Sequence, residues 1–184
     1  MSTADLHRNV GTALSPAQRG IWFTEQLGAA DGTFHVPVAL RIAGPLLLES
    51  LRHAVEELVR HHDALRVRLR TVAGEPFQSV LDHATVPFAV RNAPSEEIAR
   101  QLLSAEAKLP FDLQIEAPLR VLVIHLAPDQ HYVLLTAHHL VLDGWSVDVL
   151  LDDMVTLYCA HAEGRTAVLC RRRPETDPLP ADWN

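Results

Sequence analysis

Only two cysteines occur in the 184 residues, Cys159 and Cys170. Cys159 falls in a helical pattern, Cys170 lies beside a basic run, and no Cys-x-x-Cys is present. Both are expected to be reduced thiols in a cytoplasmic protein, which sets aside a disulfide framework and a cysteine zinc site. Long apolar runs are missing too. The longest are far too short to cross a bilayer, so no membrane partner is expected. Met1 to Gly11 carries Asp5, His7 and Arg8 without an apolar core, so no secretory signal is visible. Positive charge is in the minority: 16 Lys and Arg stand against 23 Asp and Glu, for a net charge of -7 and a pI of about 5.8. General nucleic-acid binding calls for a basic surface and is not expected. The triplet Arg171-Arg172-Arg173 is expected to be a solvated tail feature. No internal repeat is apparent. What the chain does have is 48% hydrophobic residues, enough for one domain with a full core.

The hydrophobic pattern alternates between strand and helix periods. Ser15 can cap a helix from Pro16 to about Leu27, with Gln18 three residues after the cap and Gly28 closing it. Ala17, Ile21 and the Trp22-Phe23 pair are expected on its buried side. Phe34 to Ile42 alternates as a strand, and Pro37 marks it as an edge or an irregular start. Leu47 to His62 has one apolar face and predicts a helix. Leu65 to Thr71 alternates leucine and valine with arginine, then turns at Ala73-Gly74-Glu75 into a second arm, Pro76 to Leu81. Val86 to Arg91 predicts a short strand. Ser95 caps a helix that ends before Pro110. Leu119 to Leu126 and His131 to Ala137 are nearly continuous apolar runs and predict a central hairpin. Ser146 to about Ala162 predicts the last helix, with Gly164 as its C-cap.

Two adjacent histidines, His138 and His139, stand where the last strand gives way to a turn. Adjacent side chains on a strand point to opposite faces, so only one of the two can face a given cavity. A histidine titrates near neutral pH and can take or position a proton. Asp143-Gly144 predicts a tight turn that uses the conformational freedom of glycine. Other readings exist for such a pair. The histidines could be core residues with satisfied hydrogen bonds. His139 and Asp143, four apart, could hold a metal, but no third ligand sits at a zinc-like spacing. The His-x4-Asp spacing of His138 and Asp143 is shared with glycerolipid acyltransferases, whose membrane character is missing here.

Three stretches together point further. His138-His139-Leu140-Val141-Leu142-Asp143-Gly144-Trp145-Ser146 resembles the His-His-x-x-x-Asp-Gly motif of nonribosomal peptide synthetase condensation domains. Leu14-Ser15-Pro16-Ala17-Gln18-Arg19-Gly20-Ile21-Trp22-Phe23 resembles that family's first signature, and Arg60-His61-His62-Asp63-Ala64-Leu65-Arg66 its Arg-His-x-x-Leu-Arg signature. Phe111-Asp112-Leu113 and Pro118-Leu119-Arg120 resemble a further common stretch. The resemblance covers roughly residues 10 to 163 and only the N-terminal lobe of such a domain.

The resemblance implies an α+β two-layer sandwich like a chloramphenicol-acetyltransferase lobe, with a mixed β-sheet and helices packed on one side. Residues 1–13 would be a flexible leader, 14–164 the lobe, and 165–184 a linker or disordered tail. The implied reaction is amide formation between a carrier-bound acyl or peptidyl thioester and a carrier-bound amine. His139 would take or orient the proton, and His138 would support it from behind. The Gly144 N–H could stabilise an oxyanion. Asp143 would pair with an arginine, Arg66 in preference to Arg60. Ser146 would cap the last helix rather than act as a nucleophile, and Trp145, Gln18 and Arg19 would support the site. No cofactor is expected on the chain itself, since substrates would ride on the phosphopantetheine arms of carrier proteins. Those carrier proteins and the C-terminal lobe, or neighbouring synthetase domains, are the expected partners. Two alternatives stay open: an ester-forming acyltransferase of the same superfamily, and a non-catalytic lobe that docks carrier proteins or domains.

Overall fold

The computed structural model describes residues 11–28 and 32–169. The expected tail from Cys170 onward, with the Arg171–Arg173 triplet, lies outside the described residues, as does most of the expected leader.

Among the described residues, seven strands and four helices follow one another: β1 (Thr12–Ala13), α1 (Pro16–Gln26), β2 (His35–Ala43), α2 (Leu48–His61), β3 (Val67–Val72), β4 (Glu75–Val80), β5 (Phe88–Asn92), α3 (Glu96–Ala107), β6 (Leu119–Ala127), β7 (Gln130–His138) and α4 (Gly144–Ala162). A short 3-10 turn, Asp63–Arg66, joins α2 to β3. The main sheet has the order β2-β7-β6-β5. Its β5–β6 pair is parallel and the others are antiparallel, so it is a mixed sheet. β6 and β7 are central because both of their faces are apolar, as their continuous runs predict. β2 lies at the edge, where Pro37 costs no ladder bond on its open side. A second sheet, β1-β4-β3, stands apart.

Strand alternation divides the core. Val121, Val123, Val133 and Leu135 meet α2 through Leu51, Val55 and Leu58, and α4 through Leu150 and Met154. Fully burying a leucine such as Leu58 contributes about 1.5–3 kcal/mol. Leu122, Ile124 and Leu134 point the other way and meet α3 through Ala99, Leu102 and Leu103. The α+β fold with a mixed sheet therefore stands, but its helices lie on both faces. The expected single-sided layer holds for α2 and α4 only.

Both expected boundaries of the lobe shift outward. Thr12 and Ala13 are not leader: they pair with Gln78 and Phe77 of β4. At the other end Gly164, at φ +65°, stops α4, and the Gly164 and Arg165 amides return to the His161 and Ala160 carbonyls. Ala167 and Leu169, expected in the tail, pack against the main core. α1 also departs from expectation. It buries no residue fully, and Phe23 is 59% and Leu27 73% exposed.

Candidate active site

His138 is the last residue of β7, and the turn after it is pinned by two leucines. Leu140 sinks into a small core with Leu14, Val67, Leu69 and Leu113, while Leu142 enters the main core. With the even positions anchored inward, His139 and Asp143 are left at the surface. The backbone is held as well. His138 N–H donates to the Pro118 carbonyl at 3.0 Å, and His139 N–H donates to that of Phe34 at 2.7 Å.

The two imidazoles have opposite environments. His138 is 1% exposed. Its Nδ1 accepts the Leu140 N–H at 3.1 Å, so the ring proton sits on Nε2, which donates to Glu25 Oε1 at 2.7 Å. His139 is exposed, and its Nδ1 lies 2.8 Å from the Leu142 carbonyl. A carbonyl only accepts, so in the neutral ring Nδ1 carries the proton and Nε2, with no hydrogen-bond partner among the described residues, keeps its lone pair. That is the arrangement a proton acceptor needs.

Among the described residues, Asp143 does not pair with an arginine. It is the N-cap of α4: its Oδ1 accepts from Ser146 N–H at 2.9 Å and from Ser146 Oγ at 2.6 Å. These two bonds, the hydroxyl first, hold its carboxyl below the usual carboxylate range. The expected cap, Ser146, is thus the donor in the first turn and Asp143 the capping residue. Arg66 is occupied elsewhere. It donates to the Val59 carbonyl at 3.1 Å, to the Leu81 carbonyl, and to Asp63 Oδ1 at 2.5 Å. Arg60 pairs with Glu57 on α2. The expected pair with either arginine of the 60–66 stretch is therefore not formed: Arg66 bonds to α2, its own 3-10 turn and the end of the β4 arm, and Arg60 stays on α2.

Gly144 opens α4 without a left-handed backbone, contrary to the expected glycine turn. A Cβ placed on it would meet nothing within 4 Å, so the site is open there. Its N–H is one of the amides that a helix start leaves without an intrahelical acceptor. The Trp145 side chain lies outside the described residues.

α1 flanks the turn. Gln18 Nε2 donates to the Leu140 carbonyl at 3.1 Å and to Gln78 Oε1 at 3.3 Å. Arg19 does not reach the histidines; it bridges to Glu75 at 2.5 Å on the β4 hairpin. Behind His138 lies a polar group that sequence reasoning left without a role. The ring packs edge-on to Phe111 and His35 at 5.7 and 6.1 Å between centroids. Arg120 stacks over Phe111, 3.9 Å from its centroid, and donates to the Pro110 and Leu109 carbonyls. Burial pushes both the His35 imidazole and the Arg120 guanidinium below their ordinary pKa ranges. Phe111 and Arg120 stand in stretches the sequence singles out. Glu25 and His35 carry no such signal, being far from the motif along the chain.

Comparison with known proteins identifies the family. A family model described as the condensation domain matches residues 11–174. Phosphinothricin tripeptide synthetase PhsB of Streptomyces viridochromogenes is 33% identical over 188 residues, 99% of this chain and 15% of that protein. A dimodular nonribosomal peptide synthase of Bacillus subtilis is 34% identical over 172 residues, 92% of this chain and 7% of that protein. Among solved structures, the starter condensation domain of rhizomide synthetase RzmA superposes with a TM-score of 0.80 at 21% identity. That likeness concerns the fold, and it covers 87% of this chain but only 41% of the solved one. The chain thus spans a small part of the synthetases it matches and less than half of a solved domain.

Proposed function

For a chain that belongs to the condensation-domain family, we propose the role of the N-terminal half of an amide-forming condensation site. The observation that carries this is the exposed His139, its Nδ1 bound to the Leu142 carbonyl, on a turn anchored from both sides.

The amine of an aminoacyl acceptor attacks the carbonyl carbon of a thioester donor. The C–N bond forms as the amine proton passes to His139 Nε2. The carbonyl oxygen gains charge in the tetrahedral state, where the Gly144 N–H offers a donor. Collapse breaks the C–S bond, and the departing thiolate takes the proton back from His139. Both substrates would be carried on phosphopantetheine arms of partner carrier proteins, and the chain itself supplies no cofactor. Proton transfer by a placed histidine is worth about 100- to 10,000-fold. Holding two carrier-bound reactants together is worth about 7–11 kcal/mol, and that needs a second wall across the open surface at His139.

The test is turnover with loaded carrier proteins, followed by mass spectrometry, for this chain alone and with a C-terminal lobe supplied. Amide product is expected only with the second lobe. An ester product with a hydroxylated acceptor, or carrier binding without any product, would overturn the amide-forming assignment.

A further inference from the structure

We infer that Glu25 is a positioning residue for His139, because it fixes the proton on His138 and through it the peptide group of Leu140. The inference rests on the condensation reading above, in that His139 is the group being positioned.

Gln18 and Glu25 are seven residues apart on α1, two helical turns, and so share one face. Both reach the same short segment. Gln18 Nε2 holds the Leu140 carbonyl at 3.1 Å. Glu25 Oε1 holds His138 Nε2 at 2.7 Å, and His138 Nδ1 holds the Leu140 N–H at 3.1 Å. The residue next to His139 is therefore held at both ends by one helix, once directly and once through an imidazole ring.

The ring works only in one tautomer. With the proton on Nε2, both nitrogens are satisfied. With the proton on Nδ1, that N–H would face the Leu140 N–H, two donors would oppose each other, and the bond would be lost. The ring is 1% exposed, so water cannot repair such a loss. Glu25 decides between the states because a carboxylate accepts and cannot donate. Among the described residues, no other acceptor bonds to Nε2. The neighbouring groups are the Phe111 and His35 rings, packed edge-on, and the Arg120 guanidinium beyond Phe111. His35 turns its Nδ1 to the Ala107 carbonyl at 2.8 Å, away from this role.

The test compares Glu25→Leu, which removes the acceptor, with Glu25→Gln, which keeps a carbonyl oxygen there. In the 184-residue chain labelled with 15N histidine, the His138 ring of the unaltered protein should show a protonated Nε2 and a bare Nδ1. Glu25→Gln should keep that signature. Glu25→Leu should lose it, and the Leu140 amide should exchange with solvent roughly tenfold faster or more, while core amides such as Val123 are unchanged. Should the Leu variant fail to fold, Glu25→Ala serves in its place. A proton found on Nδ1 in the unaltered protein, or an unchanged ring signature in both acceptor-less variants, overturns the proposal.

In the two-lobe domain, Glu25→Leu should lower kcat by roughly 10- to 100-fold with KM little moved, and Glu25→Gln should restore most of it. A changed tautomer with unchanged kcat would also overturn the positioning role. No turnover in any form, with the tautomer result intact, would instead count against the condensation reading.

Discussion

Asp143 accepts two hydrogen bonds from Ser146, one from the backbone N–H at 2.9 Å and one from the hydroxyl at 2.6 Å. The carboxylate that follows the histidine pair therefore closes the first turn of α4. It is a helix cap that sets where the helix begins, and with it where the Gly144 amide points.

The first prediction follows from that cap. Asp143→Ala should destabilise by about 0.5–2 kcal/mol. That lowers Tm by roughly 2–4 °C per kcal/mol for a chain of this size. Asp143→Asn, which still caps, should lie close to the unaltered protein. Because Arg66 is spent on Val59, Leu81 and Asp63, the double variant Asp143→Ala/Arg66→Ala should be additive. Thermal or denaturant unfolding of the four proteins measures this, and a sizeable coupling would restore the ion pair. Asp143 has a folded pKa below its ordinary 3.8, so its contribution is present above that value. It is lost as pH falls through the lower folded value.

A second prediction separates the histidines. His139→Ala removes an exposed ring, so Tm should barely move while turnover of the two-lobe domain falls by about 100- to 10,000-fold. His138→Ala leaves the Leu140 N–H without its acceptor in a buried place and should cost about 1–3 kcal/mol. Its loss of turnover should be the smaller of the two. Equal losses of turnover would reverse the roles assigned to the two rings.

Gly144 gives a third. Its backbone is not left-handed and an added methyl meets open space, so Gly144→Ala should fold with Tm unchanged or slightly raised. Turnover should nevertheless drop if a substrate approaches the helix start there. Full turnover in the alanine variant would remove Gly144 from the site.

A fourth concerns pH. Burial first, and then the smaller electrostatic effects of His138 and Arg120, hold the His35 ring below its ordinary value of 6.5, against the opposing hydrogen bond to the Ala107 carbonyl. The unfolded chain then binds a proton before the folded one does. Stability is full above 6.5 and declines as pH falls through the lower folded value. His125, also lowered by burial and then by its neighbour His131, adds to the same decline. Tm measured between about pH 7.5 and 5.5 should fall, and less steeply in His35→Gln, which can still donate to the Ala107 carbonyl. Parallel profiles would show that His35 does not take part.

The local parts of this protein are legible in its residue order alone. Apolar spacing over 51, 54, 55, 58 and 59 makes one buried face of α2, because those positions recur with the helical period. Continuous apolar runs place β6 and β7 in the centre, and of the two readings Pro37 allows, an edge or an irregular start, β2 takes the edge. Adjacency alone sends His138 and His139 to opposite sides of a strand end. Each of these rests on forces that act within a few residues. The tertiary structure decided the rest. Arg66 has several acceptors within reach of a flexible side chain, and only the packing of Val59 and Leu81 around it selects among them. Asp143 serves as a cap because α4 starts two residues earlier than its apolar pattern suggests. Ala99 takes α3 to the second face of the sheet, which no pattern within α3 specifies. Glu25 meets His138 across 113 residues of sequence. Such a pair is brought together by how α1 lies against the sheet end, and periodicity within either segment carries no information about it.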